Sequence, residues 1–189
     1  MRVHDTQIPG ALIIEPDVFR DERGFFVETS RAEWFSDLGI THEWAQDNHS
    51  RSRRGVLRGL HFQTRPGQAK LVHCVRGRIL DVIVDLRRGS PAYGRSVAVE
   101  LNDDTARLLY VPIGLAHGFV VLSDEADVIY RCSAYFDTAT EAGIAWDDPD
   151  VAAPWPDMPL TVSTRDQAAP RLAEVADELP FVYSPAVET

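Results

Sequence analysis

Two histidines stand inside apolar segments that are otherwise typical of buried β-strands. His61 follows Gly59 in the segment GVLRGLHFQ, and His117 lies in PIGLAHGF. An imidazole surrounded by apolar side chains needs hydrogen-bonding partners, because burying an unpaired polar group is costly. Histidine also titrates near neutral pH, so a positioned ring can remove a proton from a substrate and return it. These two residues are therefore the first candidates for chemistry.

Lys70 is the second unusual feature, because it is the only lysine among 19 lysine and arginine residues. A compact ammonium group fits an oxygen that carries charge at a single atom, whereas the planar guanidinium fork favours two-oxygen acceptors such as phosphate. This choice favours a role for Lys70 in stabilising an oxyanion, although low lysine usage can also leave a single lysine by chance. A Schiff base between Lys70 and a carbonyl group is the alternative chemistry.

Short apolar runs with period-two alternation must position these residues. Turn-forming Gly, Pro, Asn and Asp separate the runs about every ten residues, a pattern that predicts an all-β sandwich or barrel with few helices. The predicted strands are 11–15, 24–29, 55–63, 70–75, 78–86, 96–101, 107–112, 117–123 and 127–136. The predicted helices are 31–39 and 171–179, the second ended by Pro180.

Strand alternation indicates which side chains share the interior of the barrel. Along residues 127–136, Tyr130 and Arg131 must point to opposite faces. Because an arginine is rarely buried, the tyrosine is predicted to point inward. The same alternation puts His61 and Gly59 on one face of their strand. The interior is therefore predicted to hold an imidazole and a phenol.

The composition limits the classes of partner. A formal net charge of −10 argues against a broad grip on nucleic acid, which requires many basic side chains to neutralise phosphates. An anionic small ligand needs a local cluster of arginines, and residues 51–58 contain candidates, although Arg51, Arg53 and Arg54 are more simply interpreted as a solvated turn. No apolar run reaches the roughly 20 residues of a membrane span.

The length of the chain predicts one domain over residues 1–189, with its core at about 8–172 and a tail over 173–189. Cys74 and Cys132 are too few for a disulfide framework, and the segment MRVHDTQIPG has no apolar signal core. These features predict a location in the reducing cytoplasm.

A partial metal-binding motif surrounds the two candidate histidines. The segment PIGLAHGF fits the Pro-x-Gly-x-x-His pattern of the second cupin motif, but in the first motif His61 is followed by Gln63 where a histidine is expected. No glutamate occurs between Gln63 and Asp81. A metal site needs three or four convergent ligands. The pattern therefore predicts a cupin-like barrel without a metal.

In their order and spacing, several segments together resemble the dTDP-4-dehydrorhamnose 3,5-epimerase family of nucleotide-sugar epimerases. These segments are DERGFFVE (21–28), QDNHS (46–50), GVLRGLHFQ (55–63), QAKLV (68–72), DVIVDLRRGSPAYG (81–94), PIGLAHGF (112–119), ADVIYRCSAYF (126–136), EAGIAWDDP (141–149) and STRD (163–166). The resemblance implies a cupin jelly roll and a homodimer whose subunits exchange strands.

The resemblance also assigns roles by position. His61 resembles the family's catalytic base and Asp166 the carboxylate that holds it, although the segment STRD fits a helix N-cap equally well. Lys70 matches the lysine that stabilises the enolate, and Tyr130 matches the general acid on the opposite face of the sugar. The implied substrate-contacting residues are Arg23, Glu28, Gln46, Asn48, Arg58, His117, Tyr135 and Glu141, with Arg23 and Glu28 serving the site of the partner subunit.

The implied activity is a cofactor-independent epimerisation of a dTDP-4-keto-6-deoxyhexose at C3, at C5 or at both. Inverting a carbon next to a ketone requires a base, a group that holds the enolate, and an acid on the other face. An imidazole, an ammonium and a phenol supply these three functions. Two other hypotheses remain, a metal-dependent cupin dioxygenase and a non-catalytic module that binds sugar nucleotides. Neither nucleic acid nor a membrane is predicted as a partner.

Overall fold

Fourteen strands and three short helices make up the regular structure of residues 1–185, the part of the chain that the computed structural model describes. The strands are β1 (Arg2–Asp5), β2 (Leu12–Glu15), β3 (Val18–Asp21), β4 (Gly24–Val27), β5 (Gln46–Arg53), β6 (Val56–Gln63), β7 (Lys70–Arg76), β8 (Arg78–Asp85), β9 (Ser96–Asn102), β10 (Leu108–Val111), β11 (Leu115–Val121), β12 (Glu125–Cys132), β13 (Glu141–Gly143) and β14 (Thr161–Val162). The helices are α1 (Ala32–Asp37), α2 (Thr164–Gln167) and α3 (Leu172–Val175), and a 3-10 turn, Ala176–Glu178, follows α3.

The predicted all-β, cupin-like class with a few short helices is confirmed. Both predicted helices are present, as α1 and as α3 with its 3-10 turn, whereas α2 was not predicted. The last residues of the predicted C-terminal tail, 186–189, lie outside the described residues. Within residues 1–185, no helix is long and apolar enough to cross a membrane.

Two sheets enclose the core. The first has the strand order β1-β2-β10-β7-β12-β5, and the second has the order β13-β6-β11-β8-β9, with β14 parallel to β6. Val72 and Leu109 of the first sheet join Ile83 and Phe119 of the second in one buried apolar cluster. Each fully buried aliphatic side chain contributes about 1.5–3 kcal/mol to folding. This cluster fills one part of the barrel and leaves another part open for the site.

The outer face of the second sheet carries a separate apolar cluster. Leu60 of β6 packs there with Val151, so it faces away from the barrel interior, as strand alternation predicts. The proline-rich connection over residues 146–159 lies against this cluster, and the indole N–H of Trp155 donates to the carbonyl of Trp146 at 2.7 Å. The connection is therefore an ordered cover of the sheet.

Strand β5 corrects the interpretation of residues 51–54. Arg51 and Arg53 belong to this edge strand, which pairs with β12, and only Arg54 lies in the turn that follows. The guanidinium of Arg51 donates to both carboxylate oxygens of Asp127 at 2.7 Å. One face of β5 meets solvent and the other faces a polar cavity, so the strand has no apolar alternation from which it could be predicted.

A hairpin of β3 and β4 stands apart from both sheets, and its two strands pair with each other. It exposes three phenylalanines, Phe19, Phe25 and Phe26, to 63%, 54% and 69%. Exposed apolar patches of this kind are typical of interaction surfaces.

Gly59 permits the close approach that brings two site strands together. A Cβ atom at this position would lie 2.5 Å from the Cα of Gly118, and the backbone has a φ of +138°. Both features favour glycine. In the register of the closely packed strands β6 and β11, His61 and His117 lie directly opposite each other.

Candidate active site

The candidate site consists of two cavities that share their walls. The main cavity has a volume of about 490 Å³ and the side cavity one of about 210 Å³. His61, Lys70, Tyr130 and Glu141 line both cavities. Because these four side chains border both spaces, a ligand in either space contacts the same set of acid, base and cationic groups.

His61 and Asp166 form a hydrogen-bonded pair at one wall of the main cavity. Nε2 of His61 lies 2.7 Å from Oδ1 of Asp166, although the two residues are 105 positions apart in sequence. Helix α2 holds the carboxylate in place, because the hydroxyl of Ser163 caps the helix and accepts from the backbone N–H of Asp166 at 3.1 Å. The segment STRD therefore provides a helix N-cap and a histidine partner at once.

The protonation state of His61 suits a base. Burial lowers the pKa of its imidazole, while the hydrogen bond and the negative charge of Asp166 oppose that shift. The ring is therefore neutral near pH 7. Since the hydrogen bond to Asp166 uses Nε2, Nδ1 is the nitrogen left to accept a proton from a substrate.

Lys70 projects from the first strand position of β7 into both cavities. Its side chain is 8% exposed, and it forms no hydrogen bond or ion pair with any of residues 1–185. Burial lowers the pKa of its ammonium group, and the charges of Cys132, Asp81 and Glu141 oppose this shift. The lysine thus has its hydrogen-bond donors available to a ligand.

Tyr130 lies on β12 and points into the cavities, which confirms the orientation predicted from strand alternation. Burial raises the pKa of its phenol, and the positive charge of Arg58 opposes the shift. The phenol is therefore neutral at pH 7 and can donate a proton. The nearby guanidinium favours the phenolate that such a donation would leave.

His117 contributes a second, deeper pair. Its Nε2 lies 3.0 Å from Oδ2 of Asp81, and both side chains are almost completely buried. The His117 ring lines the main cavity, as the prediction of a near-site residue requires.

Two arginines border the main cavity. Nε of Arg58 donates to the hydroxyl of Ser52 at 3.0 Å, and Nη1 of Arg165 lies 2.6 Å from a carboxylate oxygen of Glu141. Sequence reasoning did not single out Arg165, although its position directly before Asp166 was an available signal. These two arginines thus place guanidinium groups at the cavity of a chain whose net charge is −10.

Comparison with known proteins identifies the family. The family profile described as dTDP-4-dehydrorhamnose 3,5-epimerase matches residues 5–174. The chain belongs to this family. The resemblance drawn from the segments of the sequence is thereby confirmed.

Relatives of this epimerase family cover most of the chain. A dTDP-4-dehydrorhamnose 3,5-epimerase of Methanothermobacter thermautotrophicus is 49% identical over 151 residues, which make up 80% of this chain and 82% of that protein. A dTDP-4-dehydrorhamnose 3-epimerase of Streptomyces niveus is 44% identical over 179 residues, 94% of this chain and 86% of the relative. The crystal structure of a dTDP-6-deoxy-D-glucose-3,5-epimerase from Legionella pneumophila, in complex with dTDP-4-keto-L-rhamnose, has a TM-score of 0.93, with 43% identity and coverage of 97% of this chain and 98% of that chain.

The side cavity of this epimerase-family chain contains two of the predicted contact residues, Gln46 and Asn48. Nε2 of Gln46 donates to Oδ1 of Asn48 at 2.7 Å, and both residues line the cavity. Phe136 lines it too, whereas the ring of Tyr135 is 72% exposed and borders neither cavity. The placement of Tyr135 is thus corrected within this chain. Strand β12 ends at Cys132, so alternation no longer decides which ring faces inward.

Arg23 and Glu28, which the epimerase resemblance assigns to the partner subunit's site, lie away from both cavities of their own chain. Arg23 pairs with Asp21 at the tip of the hairpin, and Glu28 pairs with Arg31. Their contribution to a substrate site stays a prediction.

The described part of this epimerase-family chain has no preformed cluster of metal-ligating side chains. Residues 1–185 contain no group of three or more histidine, cysteine, aspartate or glutamate side chains placed to hold a metal ion. His61 and His117 instead each contact a carboxylate through Nε2. This arrangement is the one expected of a base held by its partner.

Proposed function

We propose that the protein inverts C3, C5 or both in a dTDP-4-keto-6-deoxyhexose by removing and returning protons next to the ketone. The observation that carries this proposal is the convergence of His61, Lys70 and Tyr130 on the same cavities. An epimerisation forms an isomer with no net oxidation or reduction, so its proton transfers need only a base, an acid and a group that holds the enolate.

His61 acts as the base in this proposal. Nδ1 accepts the proton from the carbon next to C4, and the C–H electron pair forms the enolate with its charge on the C4 oxygen. Asp166 stabilises the imidazolium that results. Lys70 donates to the C4 oxygen as the charge develops, and such preorganised stabilisation is often the largest contribution to rate.

Tyr130 completes the inversion. Its O–H gives a proton to the same carbon from the other face, and the phenolate is stabilised by Arg58 until solvent reprotonates it. Where both carbons are inverted, the sequence of steps repeats at the second carbon after His61 has released its first proton.

The substrate's nucleotide is proposed to bind along the rim and the side cavity. Arg58 and Arg165 present guanidinium groups to the diphosphate, for which their fork geometry is suited. The ion pair between Arg165 and Glu141 must open or share its donors when the diphosphate arrives. Phe136 offers an aromatic face to the thymine ring of the nucleotide.

The test of the activity is incubation of the protein with a dTDP-4-keto-6-deoxyhexose in D₂O, followed by NMR of the ring protons. We expect loss of the C3 signal, the C5 signal or both, because each inverted carbon takes its new proton from exchangeable groups. The pattern of loss assigns the inverted carbons. Unchanged signals at both positions, with the substrate bound, would favour a binding module and contradict the proposal.

We propose further that the active form is a homodimer in which the hairpin of β3 and β4 brings Arg23 and Glu28 to the partner's site. Three observations support this: the hairpin pairs with neither sheet, its phenylalanines are exposed, and its charged residues lie away from the cavities of their own chain. Exchange of this element would cover the aromatic rings and bring the guanidinium of Arg23 and the carboxylate of Glu28 to the nucleotide end of the site.

Hybrid dimers test this arrangement. We expect Arg23→Ala and His61→Ala proteins each to be strongly impaired, and their co-expressed hybrid to regain about one working site per dimer, because one site then has both residues intact. Purified hybrids carrying two different tags allow the rate per dimer to be measured. A hybrid no more active than the two parents would place Arg23 in its own subunit's site.

We also propose that residues 1–189 form one domain, with its core at 8–172, and that the protein works in the cytoplasm. The apolar cluster shared by the two sheets supports a common core. Cys74 and Cys132 are both free and buried, which supports a reducing compartment.

A further inference from the structure

Asp81 is an acidic residue on the inward face of β8, where its neighbours are apolar. Its neighbours on the inward face of β8, Ile79 and Ile83, belong to the buried core between the sheets. The carboxylate is fully buried. Oδ2 lies 3.0 Å from Nε2 of His117, but Oδ1 is buried without a hydrogen-bond partner among the described residues.

A buried, partly unpaired carboxylate lowers the stability of the fold, so stability does not explain Asp81. A buried carboxylate with one unsatisfied oxygen loses the solvation of that atom, and burial accordingly raises the pKa of Asp81, while His117 and Lys70 oppose the shift. An apolar residue would suit the surroundings of Ile79 and Ile83 better. The charge therefore calls for a functional explanation.

Asp81 differs from the other carboxylates near Lys70 in its partners. The titratable or charged groups that line the main cavity with Lys70 are Arg58 and His61 (β6), His117 (β11), Tyr130 (β12), Glu141 (β13), and Arg165 and Asp166 (α2). Asp81 (β8) joins this set through its pair with His117, and Cys132 lies two positions after Tyr130 on the same face of β12. Only Asp81 and Glu141 influence Lys70 as carboxylates, and Glu141 already pairs with Arg165 at 2.6 Å. Of these two carboxylates, Asp81 is the one that has no arginine partner among residues 1–185.

We propose that Asp81 is a positioning residue, which fixes the ring of His117 and supplies the negative charge that keeps Lys70 an ammonium ion beside the reacting ketone. The consequence for catalysis rests on the proposed function. The physical reason is that a buried lysine tends to lose its proton, and a nearby anion favours the charged form. A neutral lysine at the C4 oxygen would stabilise an enolate far less well.

The lone lysine allows a direct test. Protein labelled with [ε-¹³C]lysine gives one side-chain signal, that of Lys70, so its titration needs no assignment. We expect Asp81→Asn to lower the midpoint of this titration by about one pH unit or more, because the amide keeps the shape and loses the charge. Where that variant does not fold, Asp81→Leu removes the same charge and suits the apolar surroundings.

Asp85→Asn is the matched control. Asp85 is equally buried on the same strand, but it is paired with Arg87 at 2.7 Å and with the hydroxyl of Ser90 at 2.6 Å. We expect this variant to leave the Lys70 titration unchanged. A Lys70 midpoint that is the same in the wild type, the Asp81 variants and Asp85→Asn would overturn the proposal.

The pH profile of kcat/KM separates this inference from the proposed function. The ammonium form is present below the pKa of Lys70, so a lowered pKa moves the alkaline limb of the Asp81→Asn profile to lower pH, with little change in KM at pH 6. Loss of activity without any movement of the Lys70 titration would indicate a merely structural role and overturn the proposal. A moved titration in a protein without epimerase activity would contradict the proposed function and uphold the charge coupling.

Discussion

Replacement of His61 with alanine is expected to lower deuterium exchange at the substrate carbons by about 10²- to 10⁴-fold, the range typical of a lost general base. The ring borders both cavities, is held by Asp166 and is neutral near pH 7 because burial lowers its pKa. His117, the other imidazole that lines the main cavity among residues 1–185, is almost completely buried and pairs with Asp81 deeper in the barrel. NMR time courses in D₂O measure the rates.

His73→Ala is the matched control for this experiment. His73 is a half-buried histidine on β7, close in sequence to Lys70, but it lines neither cavity. Its removal is expected to leave the exchange rate within about twofold of the wild type. Exchange that continues at the full rate in folded His61→Ala protein would remove the proposed base.

Lys70→Arg is expected to reduce turnover by about 10²-fold or more even though it keeps the positive charge. The side chain of Lys70 is buried, and the larger, planar guanidinium cannot place one donor on a single oxygen in the same way. Lys70→Met, which keeps the length of the side chain and removes its charge, is expected to lose at least as much. Steady-state rates with the dTDP-4-keto sugar measure both effects.

Arg76→Lys, at the exposed end of the same strand, controls for the exchange of the two residue types. We expect it to have wild-type kinetics. If Lys70→Arg also turned over at a near-normal rate, charge alone would suffice at this position, and the explanation for the lone lysine would be wrong.

The barrel strands could be predicted because their apolar side chains alternate with the sheet. Strand β12 is the clearest case, since alternation around Arg131 predicts that Tyr130 points inward, and Tyr130 lines the main cavity. Strand β5 could not be predicted in this way. Its inward face carries Gln46 and Asn48, which line a polar cavity, so a functional surface replaced the apolar pattern.

Contacts between distant segments were the other limit of sequence reasoning. The pair of His61 and Asp166 spans 105 positions, and nothing in local periodicity brings them together; only the family resemblance did. For Tyr135 the resemblance did not give the placement within this chain. The chain leaves strand β12 after Cys132, and Phe136 lines the side cavity instead. Asp81 could not be predicted as a site residue, because a single aspartate within an apolar strand forms no sequence motif.

The central claim is that an imidazole and a phenol lie on opposite faces of the sugar while the lone ammonium holds its C4 oxygen. A crystal structure with a bound dTDP-4-keto-6-deoxyhexose tests it most directly. The account predicts Nδ1 of His61 and the hydroxyl of Tyr130 on opposite sides of the ring, each about 3–3.5 Å from C3 or C5, with Nζ of Lys70 within hydrogen-bonding distance of the C4 oxygen. A sugar bound with both groups on the same face, or with Lys70 directed away from C4, would contradict it.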